Sequence, residues 1–249
     1  KRYVTESVAY MDEKMARVSI PSEGGYNLKP LPEGMPYQHD TPERLAYYRK
    51  ESRQANFKIR VGFIGSGFNS KAVLYLSQDM FRFFSRDTFE IHIFSIGPED
   101  SPYFIKHGMR DVDWRKRVIQ YIGGPKNFHD VQYLANNHIE LAQLIHDTYN
   151  IHMLIEWDGY ARQGERAQGL FALRPCPIQI YHQEYLGTSG ALGYVDYLFT
   201  DEITSPPTLP QLPFVDQNNH AIYNKDITID SMYTENLIYL PNHFFSKGL

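Results

Sequence analysis

From Phe57 onward, short apolar runs alternate with longer segments of helical periodicity, and this alternation restricts the fold more than any other feature of the chain. Ile59-Arg60-Val61-Gly62-Phe63-Ile64-Gly65 is an apolar run closed by glycine, the pattern of a strand buried on both faces. Residues 72–84 bring Val73, Leu76, Met80 and Phe83/Phe84 to one side and predict a helix. Residues 89–96 alternate and predict the next strand, and Val118-Ile119-Gln120-Tyr121-Ile122 predicts a third. A helix is expected over 130–149, where Leu134, Ile139, Leu141, Leu144 and Ile145 recur near the helical period. Further strands are expected at 151–155, 177–181, 195–199 and 237–241, with a helix over 163–173. Strands that alternate with helices imply an α/β fold: a parallel sheet covered on both faces, a Rossmann-like lobe.

The flanks read differently. Residues 20–42 hold Pro21, Pro30, Pro32, Pro36 and Pro42 with Gly24, Gly25 and Gly34, so no single regular element fits. Residues 1–56 are therefore expected to form an extended proline-rich arm. It ends in a short helix over 42–54, with Thr41 as N-cap and Pro42 at the first helical position. Residues 57–249 form the lobe, and 204–234, with four prolines and the polar run Asp216-Gln217-Asn218-Asn219-His220, read as an inserted surface loop. The first residue is Lys1, which suggests a processed or trimmed chain and leaves a removed targeting segment open.

Composition excludes several classes. Twenty-five basic against 29 acidic residues leave a net charge of −4, so neither a polybasic face nor duplex nucleic acid is implied. The single cysteine, Cys176, allows no internal disulfide and no cysteine-rich zinc site. No apolar run is long enough to span a membrane. Nineteen tyrosines and fifteen phenylalanines suit a chain that buries part of its surface against other proteins. Nothing fixes a compartment, so cytoplasmic and organellar locations, the mitochondrion included, stay open.

The short motifs are weak. Gly62, Gly65 and Gly67 after the first strand could cradle a phosphate, with Lys71 the cation beside it. The spacing is no dinucleotide fingerprint, and a tight strand-to-helix turn explains the glycines as well. His92, His138, His146 and His152 show no metal-ligand spacing and read as separate hydrogen-bonded or exposed residues. Glu156, Asp158, Glu165 and Glu184 lie near predicted strand ends, where acid–base groups of α/β sites sit. A turn at Asp158-Gly159 and a helix start at Glu165 are equally ordinary readings. Cys176, between Pro175 and Pro177, has no evident base partner.

Longer strings are more specific. Arg60-Val61-Gly62-Phe63, then 170–179 (Leu-Phe-Ala-Leu-Arg-Pro-Cys-Pro-Ile-Gln), then Gly187-Thr188-Ser189-Gly190-Ala191-Leu192, then Asp196-Tyr197 and Thr200-Asp201 through Thr204-Ser205-Pro206, stand in one order. Together with Leu240-Pro241-Asn242-His243-Phe244-Phe245, they resemble the first lobe of the catalytic region of the protein O-linked N-acetylglucosamine transferases. The resemblance covers roughly residues 57–249 and implies one half of a two-lobed GT-B glycosyltransferase that needs no metal. In that family the second lobe supplies most contacts to UDP. That lobe and the helical repeats that precede the catalytic region have no counterpart in this sequence.

The resemblance also exposes departures. After the first strand the family carries Asp-Phe-Gly-Asn-His-Pro-Thr-Ser-His, whose Asp and histidines line the active site. Here the Asp position is Gly67, the first His is Lys71 and the second is Tyr75, while Phe68 is kept and reads as a packing residue. Glu184 stands where the family has a glycine near the donor sugar. The strings that carry the fold are retained and those that carry the site are changed. The expectation is a catalytically silent lobe serving as a structural or assembly subunit among other protein subunits, with no cofactor. A vestigial substrate site would involve Lys71, Tyr160, Glu184 and Thr188. The alternative expectation is part of an active enzyme moving N-acetylglucosamine from UDP-GlcNAc to protein Ser/Thr, its UDP-binding lobe lying outside this chain.

Overall fold

The computed structural model describes residues 37, 39, 41–69, 72–99, 106–107, 112–159, 165–182, 187–189, 195–207, 214–215, 221–222 and 232–241. Chain entry is the helix α1 (Pro42–Glu51), started as expected by Thr41, whose side chain accepts from Arg44 N at 3.3 Å. Before it, Tyr37 N donates to Leu173 O at 3.1 Å, and the Tyr37 ring stacks on His146 with centroids 3.9 Å apart. His39 Nε2 lies 2.7 Å from Arg174 O and must donate to it, so its Nδ1 accepts from the Tyr48 hydroxyl, also at 2.7 Å. This seam fastens the residues just before α1 to the lobe; the extended arm expected over the positions before Tyr37 lies outside the described residues.

The lobe is built on β1 (Ile59–Gly65), β2 (Phe89–Ser95), β3 (Phe128–Asp130), β4 (Met153–Glu156), β5 (Ile178–Tyr181) and β6 (Tyr197–Thr200). The short pair β7 (Phe214–Val215) and β8 (Ala221–Ile222) follows, and then β9 (Asn236–Tyr239). Seven of these strands form one sheet in the order β3-β2-β1-β4-β5-β6-β9, parallel at every pairing. The last five residues of both β1 and β2 are buried, as the unbroken apolar runs require. Side-chain alternation splits the core in two. Val61, Phe63, Ile91, Ile93, Ile155 and Ile180 face one layer, while Ile64, Phe94, Leu154, Tyr181 and Leu198 face the other. The first layer is covered by α2 (Ala72–Ser77), a following 3₁₀ segment (Gln78–Phe83) and α3 (Val112–Tyr121). The second is covered by α4 (His138–Gln143), a π turn (Leu144–Thr148) and α5 (Glu165–Ala172). Among the described residues no helix is long and apolar enough to cross a membrane.

Three sequence expectations are corrected. Residues 118–122 belong to helix α3 and its end, not to a strand: Val118 and Ile122, four residues apart, bury one helix face at 0% and 4% exposure. The third strand is instead the three-residue β3. The helix expected over 130–149 begins only at His138, after β3 and a 3₁₀ turn at Gln132–Leu134. The helix expected over 72–84 stops being α-helical at Ser77, whose hydroxyl bonds back to Val73 O, and Phe83 is left 74% exposed. Within 204–234, most of which lies outside the described residues, β7 and β8 pair antiparallel.

Candidate functional site

Strand order reverses between β1 and β4, so the crevice at their carboxyl ends is where a doubly wound sheet offers a site. Three loops meet there. Trp157 N donates to Ile64 O at 2.8 Å and Ile96 N to Gly65 O at 3.0 Å. Asp158, fully buried, turns back so that its Oδ2 accepts from Ser66 N. Glu156, also fully buried, accepts from Asp158 N at 3.2 Å and from Gly159 N, and so caps the turn that follows β4. Asn69 completes the closure: its side-chain amide donates to Ser66 O at 3.3 Å and to Pro98 O at 2.9 Å.

Glycine is required here by close approach rather than by an anion. A Cβ on Gly65 would stand 2.7 Å from Trp157 Cβ, and one on Gly97 would stand 2.4 Å from Ser66 O. Gly62 lies inside the sheet, with Ile151, Phe94 and Leu154 side chains 3.1–3.2 Å from where its Cβ would be. The Ser66 N–H, the donor a phosphate would seek, already faces a carboxylate. Gly67 is nearly as crowded as Gly65. A Cβ there would meet Val73 Cγ1 at 2.7 Å, Asp158 Oδ1 at 3.2 Å and Trp157 Cδ1 at 3.5 Å. The space beside it is occupied by an aromatic cage. Trp157 has ring neighbours Phe68 at 5.4 Å, His182 at 5.4 Å, Phe63 at 5.5 Å and Phe81 at 5.8 Å. Phe68, 1% exposed, is the packing residue its motif suggested.

Of the other expected positions, Tyr75 and Thr188 are described. Tyr75 is 53% exposed on α2. Thr188 helps hold a buried carboxylate: Glu235 accepts from Thr188 Oγ1 at 2.8 Å, from Ser189 N at 2.7 Å and from the Ser189 hydroxyl. That brace ties the Gly187-Thr188-Ser189 loop to the start of β9. Lys71, Tyr160 and Glu184 lie outside the described residues, as does the Glu165 side chain.

The histidines form separate pairings. His92 Nδ1 lies 3.0 Å from His129 Nε2, His146 Nδ1 lies 2.6 Å from Asp147, and His152 accepts at Nδ1 from Arg60 N at 3.0 Å and donates from Nε2 to Glu51 at 3.1 Å. Among the described residues no group of three or more His, Cys, Asp or Glu could hold a metal ion. Cys176 is buried, and burial pushes its thiol up, away from nucleophile chemistry. Sequence reasoning missed His182 and Glu235. His182 ends β5 in an apolar pocket between Trp157 and Phe199, and burial alone lowers its imidazole to about 4. Its place one residue past a predicted strand end was the available signal. Glu235 had none, because its partners lie 46 and 47 residues away.

The model of glycosyl transferase family 41 matches residues 39–247. The chain belongs to this family. Among its relatives is the probable UDP-N-acetylglucosamine–peptide N-acetylglucosaminyltransferase SEC of Arabidopsis thaliana, 27% identical over 194 residues, or 78% of this chain and 16% of that protein. The UDP-N-acetylglucosamine–peptide N-acetylglucosaminyltransferase of Caenorhabditis elegans is 27% identical over 201 residues, 81% of this chain and 14% of the relative. The chain thus spans less than a fifth of the curated relatives it matches. The fold is similar to that of a mutant O-GlcNAc transferase of Thermobaculum terrenum, with a TM-score of 0.53 and 20% identity over 76% of this chain and 28% of that one. Both the fold class and the resemblance read from the sequence are borne out.

Proposed function

We propose that this chain is a family 41 lobe that has kept the transferase fold and given up the transfer chemistry, and that it serves as a structural subunit of a protein assembly. The observation that carries this reading is Gly67. By resemblance the family places an active-site Asp there, whereas here a Cβ would already stand 2.7 Å from Val73 Cγ1 and 3.2 Å from Asp158 Oδ1. Losing one acid–base group of this kind slows a reaction by roughly 10²–10⁴-fold, and the two histidine positions are Lys71 and Tyr75. The turn donors that could hold an anion are engaged by Asp158 and Glu156, which supports the same conclusion.

The rival reading is an active transferase using UDP-GlcNAc, with its donor lobe outside these residues. The family match and the small share of each relative that the chain spans favour it. The experiment is size-exclusion chromatography of the endogenous protein with mass determination of its polypeptide and its particle. A particle of fixed composition, several times the polypeptide mass, is expected. A monomer of two-lobe size would overturn the assembly reading.

A further inference from the structure

At the opposite, amino-terminal edge of the sheet lies a cleft of about 420 Å³, within the roughly 300–1,000 Å³ of small-molecule sites. It is bounded by the turn between α1 and β1, the residues entering β2, and the carboxyl end of α3 with the turn after it. The seven-residue β1 separates it from the crevice by about 20 Å at about 3.3 Å per residue.

Its charges are unbalanced. Lys58, Arg60, Arg86 and Lys126 line it against Glu51 and Glu90, an excess of two positive charges. The two arginines are committed to the fold. The Arg60 guanidinium donates to Glu51 and to Asn150 O, while Arg86 donates to Gln120 O at 3.1 Å and to Tyr121 O, capping α3. Of the carboxylates, Glu51 is shared by Arg60, His152 and Asn150. Lys58 and Lys126 make no ion pair or hydrogen bond among the described residues, so their ammonium groups remain available to a ligand. Between the charges, half-buried Phe57, Phe84, Phe89 and Tyr121 line the same cleft, with Phe84 and Phe89 packed edge to face at 5.7 Å. Two ammonium groups with no partner among the described residues, beside aromatic surface, match a phosphomonoester, which carries close to two negative charges at neutral pH, on a planar ring.

We propose that this cleft binds a small phosphomonoester of a planar ring compound, with Lys58 and Lys126 contacting the phosphate and the phenylalanines the ring. The site is separate from the crevice at the carboxyl ends of β1 and β4. The test is calorimetric titration of the 249-residue chain at low salt with four probes: adenosine monophosphate, phenyl phosphate, adenosine and inorganic phosphate. The two phosphoesters are expected to bind at least roughly tenfold more tightly than adenosine or phosphate. The paired change Lys58→Ala and Lys126→Ala weakens them by at least roughly tenfold, whereas Tyr75→Ala, outside the cleft, leaves them unchanged. Lys126→Glu alone, at an exposed position, repeats the loss if the paired variant folds poorly. Absence of binding, equal affinity for phosphate and phosphoester, or equal loss in Tyr75→Ala overturns the proposal.

Discussion

Restoring the family's acid at position 67 should harm this protein rather than repair it. In Gly67→Ala the new Cβ meets Val73 Cγ1 at 2.7 Å, an overpacking that destabilises by about 1–3 kcal/mol. Gly67→Asp adds a carboxylate beside Asp158, whose Oδ1 lies 3.2 Å from that Cβ. Two like charges roughly 4 Å apart at an effective dielectric constant of 20 repel by about 4 kcal/mol, on top of the steric term. For a chain of this size each kcal/mol lowers the melting temperature by roughly 2–4 °C. Gly67→Ala should therefore melt roughly 2–12 °C below the parent, and Gly67→Asp roughly 8–16 °C lower still. Proton uptake relieves the repulsion, so the gap between the variants should narrow as pH falls from 7 toward 4. Melting curves of the three proteins at both pH values decide it. A Gly67→Asp variant as stable as the parent at pH 7, or a gap to Gly67→Ala that widens in acid, would refute the filled-volume argument.

Three further outcomes follow from the packing. Gly169→Ala would place a Cβ 2.2 Å from His138 Nδ1 where α5 crosses α4, so it should lower stability in a urea titration by about 1–3 kcal/mol; an unchanged midpoint would contradict the crossing. Glu235→Ala removes the carboxylate that accepts from the Ser189 N–H and from the Thr188 and Ser189 hydroxyls, an expected loss of about 1–3 kcal/mol, with Glu235→Gln milder; equal losses in the two variants would argue against the brace. Burial holds His39, His92, His129 and His182 at about 4, below the ordinary 6.5, so between those values the unfolded chain binds more protons. Stability should then fall as pH is lowered from 6.5 to 4, and urea midpoints that stay flat across that window would count against neutral, desolvated rings.

The central strands were legible in the sequence because β1 and β2 are buried on both faces and so read as unbroken apolar runs. Residues 118–122 were not, because β-branched density marks strands, while the i, i+4 pair Val118 and Ile122 also completes a helix face. The real third strand, Phe128–Asp130, is too short to show any period. At the crevice, the glycine at 67 could be seen beside the family pattern. That its neighbours fill the volume could not, because Val73 and Asp158 reach it from elements six and 91 residues further along. Asp158 reads as a turn residue in sequence, and only the fold reveals that it also anchors β1 through Ser66.

The most direct test of the silent-lobe account is sugar transfer by the natural protein, purified with whatever further residues and subunits it carries and supplied with labelled UDP-GlcNAc and Ser/Thr peptides. The account predicts no label in peptide or protein above the enzyme-free rate. Label that accumulates with time, and stops when this lobe is changed at Lys71 or Tyr75, would contradict it.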